Sequence, residues 1–216
     1  MRIVYVVDVH GRTKLVAEAV ARAAPTDLLV VGGDITTGGT PADAARAIAA
    51  WRPLAPMLLA LAGNMDSPEI DARLAELDVA LDQRTITIDD VALYGVSAAP
   101  LSPLETPYEL SEDELAHRID TAYQQLDDAR IRVFCPHAPP YGTTCDRLAN
   151  GRHVGSTAVR RHVEQHQPDV VLCGHIHESR GIDNIGATLI ANPGPLMRGH
   201  YASVDTEPEL RVTLDS

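Results

Sequence analysis

The chain has 216 residues, 45% hydrophobic and 22% charged, and 30 Asp+Glu against 18 Lys+Arg give a formal charge of −12. Such a composition can bury a core, which excludes wholesale disorder, and no apolar run approaches the roughly 20 residues of a membrane-spanning helix. The negative field repels nucleic acid and anionic membrane, and aromatic residues at 4% are too few for a base-stacking platform.

Residues 3–7 read as a buried strand, too short for a signal-peptide core, so the chain is expected to be cytoplasmic. An amphipathic helix over 13–23 follows. The pattern repeats with a strand at 28–31 and a helix at 41–51, whose start is marked by Thr40 as cap, Pro41 in the first turn and Asp43. A third unit comprises a strand at 57–61 and a short helix at 68–77. Three strand–loop–helix units in succession argue for a largely parallel sheet with covering helices. Strands at 85–88 and 91–94 are joined at Asp89-Asp90 as a hairpin. A helix is expected over 112–129, with Ser111 and Glu114 in capping-box spacing. Buried strands at 131–135 and 170–173 flank a loop and a helix over 156–167, and the chain from Ile182 onward reads as antiparallel strands. No repeat or linker divides it, so residues 1–216 are expected to form one α/β domain.

Each buried strand runs into a loop with unusual polar residues. These are Asp8-Val9-His10-Gly11, Gly32-Gly33-Asp34, Gly63-Asn64-Met65-Asp66, Pro136-His137 and Gly174-His175-Ile176-His177. Ligands of open α/β sheets bind outside the carboxyl ends of the strands, so the five loops are expected to converge. Mixed carboxylate, amide and imidazole donors suit Mn, Fe, Ni, Zn or Co, whereas Mg and Ca prefer oxygen alone. Seven donors exceed the needs of one tetrahedral ion. With one shared carboxylate they can hold two ions roughly 3.5–4 Å apart. Cys135, Cys145 and Cys173 are odd in number and lack paired spacing, so neither a disulfide framework nor a cysteine zinc knuckle is expected.

On these residues the chain resembles the calcineurin-like metallophosphoesterases. The match consists of Asp8-x-His10, Gly33-Asp34, Gly63-Asn64-x-Asp66, Pro136-His137 and Gly174-His175-x-His177. Asn192-Pro193-Gly194 is similar to a turn these proteins carry after their last ligands, and the stretch from Pro139 to Ser156 resembles their small prokaryotic branch. The resemblance implies a four-layer αββα sandwich of two mixed β-sheets flanked by helices. It also implies that Asp8, His10 and His177 hold one divalent ion, that Asn64, His137 and His175 hold the other, and that Asp34 bridges them. Mn is the first expectation for both ions. A hydroxide shared by the ions would attack a small phosphate ester. A small ester is the expected partner, with neither a long nucleic acid nor a membrane.

One position departs from the family pattern. Many members carry His between the Asn and Asp of the third motif, placed to protonate the leaving oxygen; here it is Met65, which has no proton to give. Losing a general acid typically costs about 10²–10⁴-fold on poor leaving groups, so phosphodiesters or activated esters are favoured over monoesters. Asp66 is a candidate catalytic carboxylate that would orient a ligand such as His10, with a turn or helix-cap role as the plainer alternative. The long loop 138–155 offers Arg152 as a candidate phosphate clamp and His153 as a candidate replacement acid; its plainer reading is an exposed polar loop. His162 and His166 lack the adjacent Glu of the zinc-protease pattern and read as a solvated helix face. Competing functions are a non-catalytic metal-binding interaction module of the same fold, a phosphomonoesterase and a nuclease. Seven filled ligand positions argue against the first and the acidic balance against the last.

Overall fold

The first three units lie side by side in the computed structural model, which describes residues 1–216. They are β1 (Arg2–Val6) and α1 (Thr13–Ala23), β2 (Leu28–Val31) and α2 (Pro41–Trp51), and β3 (Met57–Ala60) and α3 (Pro68–Glu76). The strands pair in parallel, Val4 opposite Leu29 and Val30 opposite Leu59. Then follow β4 (Thr85–Ile88), β5 (Val91–Val96), β6 (Ala99–Pro100), β7 (Glu109–Leu110), α4 (Glu112–Tyr123), β8 (Ile131–Pro136), α5 (Thr157–His166) and β9 (Val170–Leu172). The chain closes with β10 (Gly181–Ile185), β11 (Thr188–Asn192), β12 (Tyr201–Asp205) and β13 (Arg211–Asp215). One sheet has the order β13-β12-β1-β2-β3, the other β10-β11-β9-β8-β5-β4, and β6 pairs only with β7. In the second sheet β5, β8, β9 and β11 run parallel while β4 and β10 are antiparallel edges.

Alternation along the strands builds the layers. Ile3, Tyr5, Leu28 and Val30 face Leu93, Val133 and Leu172 of the opposite sheet. Their neighbours Val4, Val6, Leu29 and Val31 pack beneath Val16, Ile48, Trp51 and Leu74 of the first three helices. Tyr94, Phe134 and Val171 face Leu115, Ile119 and Val163 of α4 and α5. The result is helix, sheet, sheet, helix. Truncating a core residue such as Leu93, wholly buried, would cost about 2–5 kcal/mol.

The expected cap at Thr40 and the expected capping box at Ser111 both form, and the first is a capping box as well. Thr40 Oγ1 accepts the Asp43 N–H at 3.3 Å while the Asp43 carboxylate accepts the Thr40 N–H at 2.8 Å, and Ser111 and Glu114 do the same. Two expectations fail. The helix α4 stops at Tyr123 rather than 129: the Gln125 side-chain amide takes the Thr121 carbonyl that a continuing helix would give to its N–H, which donates to the Ala122 carbonyl instead, and it also donates to the Gln83 carbonyl. His162 is buried rather than solvated, because α5 lays this face on α4 and the sheet, and its Nε2 lies 3.0 Å from Tyr94 Oη.

Candidate metal centre

Every ligand loop leaves the carboxyl end of a parallel strand, and the loops are tied to one another by main-chain bonds. The Asp8 N–H donates to the Gly33 carbonyl at 3.1 Å and the His10 N–H to the Asp34 carbonyl at 2.7 Å. Asp8 (φ 54°), His10 (φ 47°), Asp34 (φ 50°) and His175 (φ 66°) all sit in the left-handed region. That region is costly for residues with a Cβ and tends to persist where surrounding structure enforces a functional geometry. Two glycines let the loops close. A Cβ on Gly63 would stand 2.1 Å from Asp34 Oδ1, and one on Gly174 would stand 2.2 Å from a Val7 methyl.

The side chains meet with their ligand atoms facing one another. Ligand atoms of Asp8, His10, Asp34 and His177 all lie within 4.8 Å. The Nε2 atoms of His10 and His177 are 3.3 Å apart, while His10 Nδ1 is 2.9 Å from Thr37 Oγ1. His137 Nδ1 is 2.9 Å from the Gly32 carbonyl, which makes it the protonated nitrogen of the neutral ring. Its Nε2 lone pair then faces Asn64 Oδ1 at 3.1 Å and Asp34 Oδ1 at 3.6 Å. Asp34 Oδ2 is 3.6 Å from His10 Nε2, so the carboxylate spans the space between His10 and His137. His175 Nδ1 lies 2.8 Å from the same Asn64 oxygen. Asp8 Oδ2 is buried without a hydrogen-bond partner.

Burial raises the Asp8 carboxyl to about 7 and pushes Asp34 well above the usual range, the latter helped by the charges of Asp8 and Asp66. Burial lowers His10 and His177, takes His137 well below its usual value, and takes His175 to about 4. Such a group is stable as neutral acids and neutral imidazoles, or as carboxylates and imidazoles around cations. The orphaned Asp8 oxygen and the opposed imidazole nitrogens fit divalent metal, which converts facing lone pairs into donors to a common centre.

Residues 1–208 match the calcineurin-like phosphoesterase superfamily domain. The chain belongs to this superfamily. It is 32% identical over 219 aligned positions to an uncharacterized protein of Methanocaldococcus jannaschii, MJ1162, an alignment that takes in 100% of this chain and 96% of that one. Its fold is similar to that of TT1561 of Thermus thermophilus, at TM-score 0.75 and 18% identity over 98% of this chain and 97% of the other. A dimetal phosphatase from Danio rerio superposes at TM-score 0.64 and 12% identity, over 100% of this chain and 95% of that protein. At these identities the two structures speak for the fold alone.

In this calcineurin-like phosphoesterase Asp66 does not bond His10. Its carboxylate accepts the N–H groups of Ile35 (2.9 Å), Thr36 (2.8 Å) and Gly63 (3.0 Å) and the Thr36 hydroxyl (2.8 Å). It therefore clamps the second ligand loop to the third. Met65 is half-buried and contributes through its main chain, its N–H donating to Asp34 Oδ1 at 2.8 Å. His153 Nδ1 lies 2.6 Å from Asp146 Oδ1, and buried Asp146 also accepts N–H groups of Gly142, Thr143 and Gly155, so this loop is braced internally. Arg152 is exposed, and it and His153 line the cavity onto which Asn64, His175 and His177 open.

Sequence reasoning missed two supports. Asn192 Nδ2 donates to the carbonyls of Cys145, Gly174 and Ile176, which holds the His175–His177 loop in place. Behind Asn64, the Tyr108 N–H donates to the Asn64 carbonyl while its hydroxyl donates to Asp71, and Arg118 pairs with Asp82 at 2.9 Å. The turn at 192–194 is a visible signal for the first; no local pattern announces the second. Cys135, Cys145 and Cys173 are free and buried, and burial pushes their thiols up.

Proposed function

We propose that this calcineurin-like phosphoesterase is a dinuclear-metal hydrolase of small phosphate esters, favouring diesters over monoesters. The reading is carried by the Asp34 carboxylate, one oxygen facing His10 and the other His137 at 3.6 Å each. Asp8, His10 and His177 would hold one ion and Asn64, His137 and His175 the other, with Asp34 shared. Two bound dications supply a water acidified toward neutral pH and charge stabilisation for the phosphate oxygens. The protein sets up the rest. The Gly32 carbonyl fixes the tautomer and plane of His137, and the Thr37 hydroxyl holds the plane of His10. Arg152, without a carboxylate partner in the chain, holds an unreactive phosphate oxygen at the cavity mouth. Asp146 orients His153 through Nδ1, which leaves its other nitrogen as the proton carrier to the leaving oxygen. Met65 leaves the family's usual donor position without a proton, so protonation falls to His153 on a separate loop, which favours diesters and activated leaving groups. Among metals, Mn is the first expectation for the mixed donors, with Fe, Ni, Zn or Co as alternatives.

The test is metal-depleted protein resupplied with Mn²⁺, Ni²⁺, Zn²⁺ or Mg²⁺ and assayed on an aryl phosphodiester and the matching monoester. Mn²⁺- or Ni²⁺-dependent diester cleavage should exceed monoester cleavage. Faster monoester turnover overturns the preference for diesters, and no metal-dependent cleavage overturns the hydrolase.

A further inference from the structure

Asn64, His175 and His177 form part of the wall of a cavity of about 630 Å³. That is the size of a pocket for a whole small molecule, far beyond a bare phosphate. The segment after β6 lines the same cavity, and there Leu101 is 69% and Leu104 80% exposed. This segment is pinned. The Glu109 carboxylate accepts the N–H and hydroxyl of Ser102 at 2.8 and 2.7 Å and those of Thr106 at 3.0 and 2.6 Å. Burial opposes the charge on Glu109, yet the bonds from Thr106 and Ser102 hold its carboxyl down at about 2. Two leucines are thus kept in water by a loop that is internally bonded, and apolar groups exposed in this way mark binding surfaces. Tyr141, also on the cavity and 46% exposed, is edge-on to His153 at 5.9 Å, while its main chain is held by Ser156 and Arg160.

We propose that Leu101, Leu104 and Tyr141 form the specificity site for a planar aromatic group of the ester, an inference that rests on the phosphoesterase reading above. The cavity is continuous with Asn64, His175 and His177, so what covers the leucines is the organic part of the molecule whose phosphate lies at the metal centre. A rigid ring packed against leucine and tyrosine surrenders little conformational freedom, whereas an alkyl chain must be frozen. Leu101 and Leu104 thereby select the substrate without touching the reacting atoms, and Glu109 is the positioning residue that holds them out.

Phosphinates, which mimic diesters but have no ester bond, separate binding from turnover. Calorimetry on the Mn²⁺-loaded protein should find diphenylphosphinate bound about tenfold tighter than dimethylphosphinate. The double variant Leu101→Ser/Leu104→Ser should bring that ratio close to one, while Ile182→Ser, exposed on β10 away from the cavity, should leave it intact. Equal affinity in the native protein, or an unchanged ratio in the double variant, overturns the specificity site alone. Tighter binding of dihexylphosphinate than of the diphenyl compound overturns the aromatic assignment. If neither phosphinate binds, the phosphoesterase reading fails and the inference falls with it.

Discussion

His162 and His166 stand one turn apart on α5, while His10, His137, His175 and His177 come together from the ends of β1, β8 and β9. In both places burial drives the rings toward neutrality, His162 to about 3 and His175 to about 4, with a neighbouring histidine as the next cause in each case. What differs is the surroundings. His162 meets Tyr94 Oη at 3.0 Å and lies against Phe134 and Tyr123, so its polar edge has a hydroxyl and its faces have rings. At the strand ends, imidazole nitrogens face other imidazoles and carboxylates, and Asp8 Oδ2 has no hydrogen-bond partner, with His177 Nε2 3.7 Å away. A lowered pKa is therefore common to a packing histidine and a ligand histidine. Carboxylate and imidazole ligand atoms gathered within reach of one another, with a buried carboxylate oxygen left without a hydrogen bond, single out the functional cluster, because a cation satisfies them together.

The largest effect should come from Asp34→Asn. Losing the carboxylate that faces both His10 and His137 should abolish hydrolysis and metal uptake together, read by metal analysis and turnover on the same sample. Retained activity would break the contrast, since the cluster would then be no more functional than the α5 pair. Asp66→Ala comes next. It leaves the buried N–H groups of Ile35, Thr36 and Gly63 without their acceptor, at about 1–3 kcal/mol for an unsatisfied group, and should lower metal affinity about 10–100-fold. A denaturant midpoint and a metal titration measure the two losses, and unchanged affinity would reduce Asp66 to a purely structural clamp.

The smallest effect belongs to His162→Phe. The folded-state pKa of His162 lies below its ordinary value, so its stabilising contribution is present above about 6.5 and is lost as pH falls toward about 3. The native protein should lose melting temperature across that window. The variant should lose less, with metal-dependent hydrolysis unchanged. An unaltered pH profile would mean that His162 titrates freely after all.

Much of the architecture is legible locally. The strand–helix rhythm, the cap at Thr40, the capping box at Ser111 and the order of the metal motifs are patterns within a few residues of one another. The failures have a shared cause. His162 reads as solvated because its partners, Tyr94 and Phe134, belong to other strands, and Asp66 points to His10 on paper because the chain order says nothing of the Ile35 and Gly63 amides. The bracing of the 101–106 loop by Glu109 is equally invisible, since Ser102 is seven residues away and the intervening backbone has to fold first.

The amino-acid sequence by itself determined that an acidic α/β chain would carry seven oxygen and nitrogen donors at the ends of its buried strands. Periodicity, caps and motif spacing are local, so they survive without coordinates. Only the tertiary structure decided which ligand atoms face one another, which buried carboxylate oxygen lacks a hydrogen-bond partner, and where the exposed leucines stand. Those are through-space relations among residues tens to more than a hundred positions apart, fixed when the sheets pack and their ends meet.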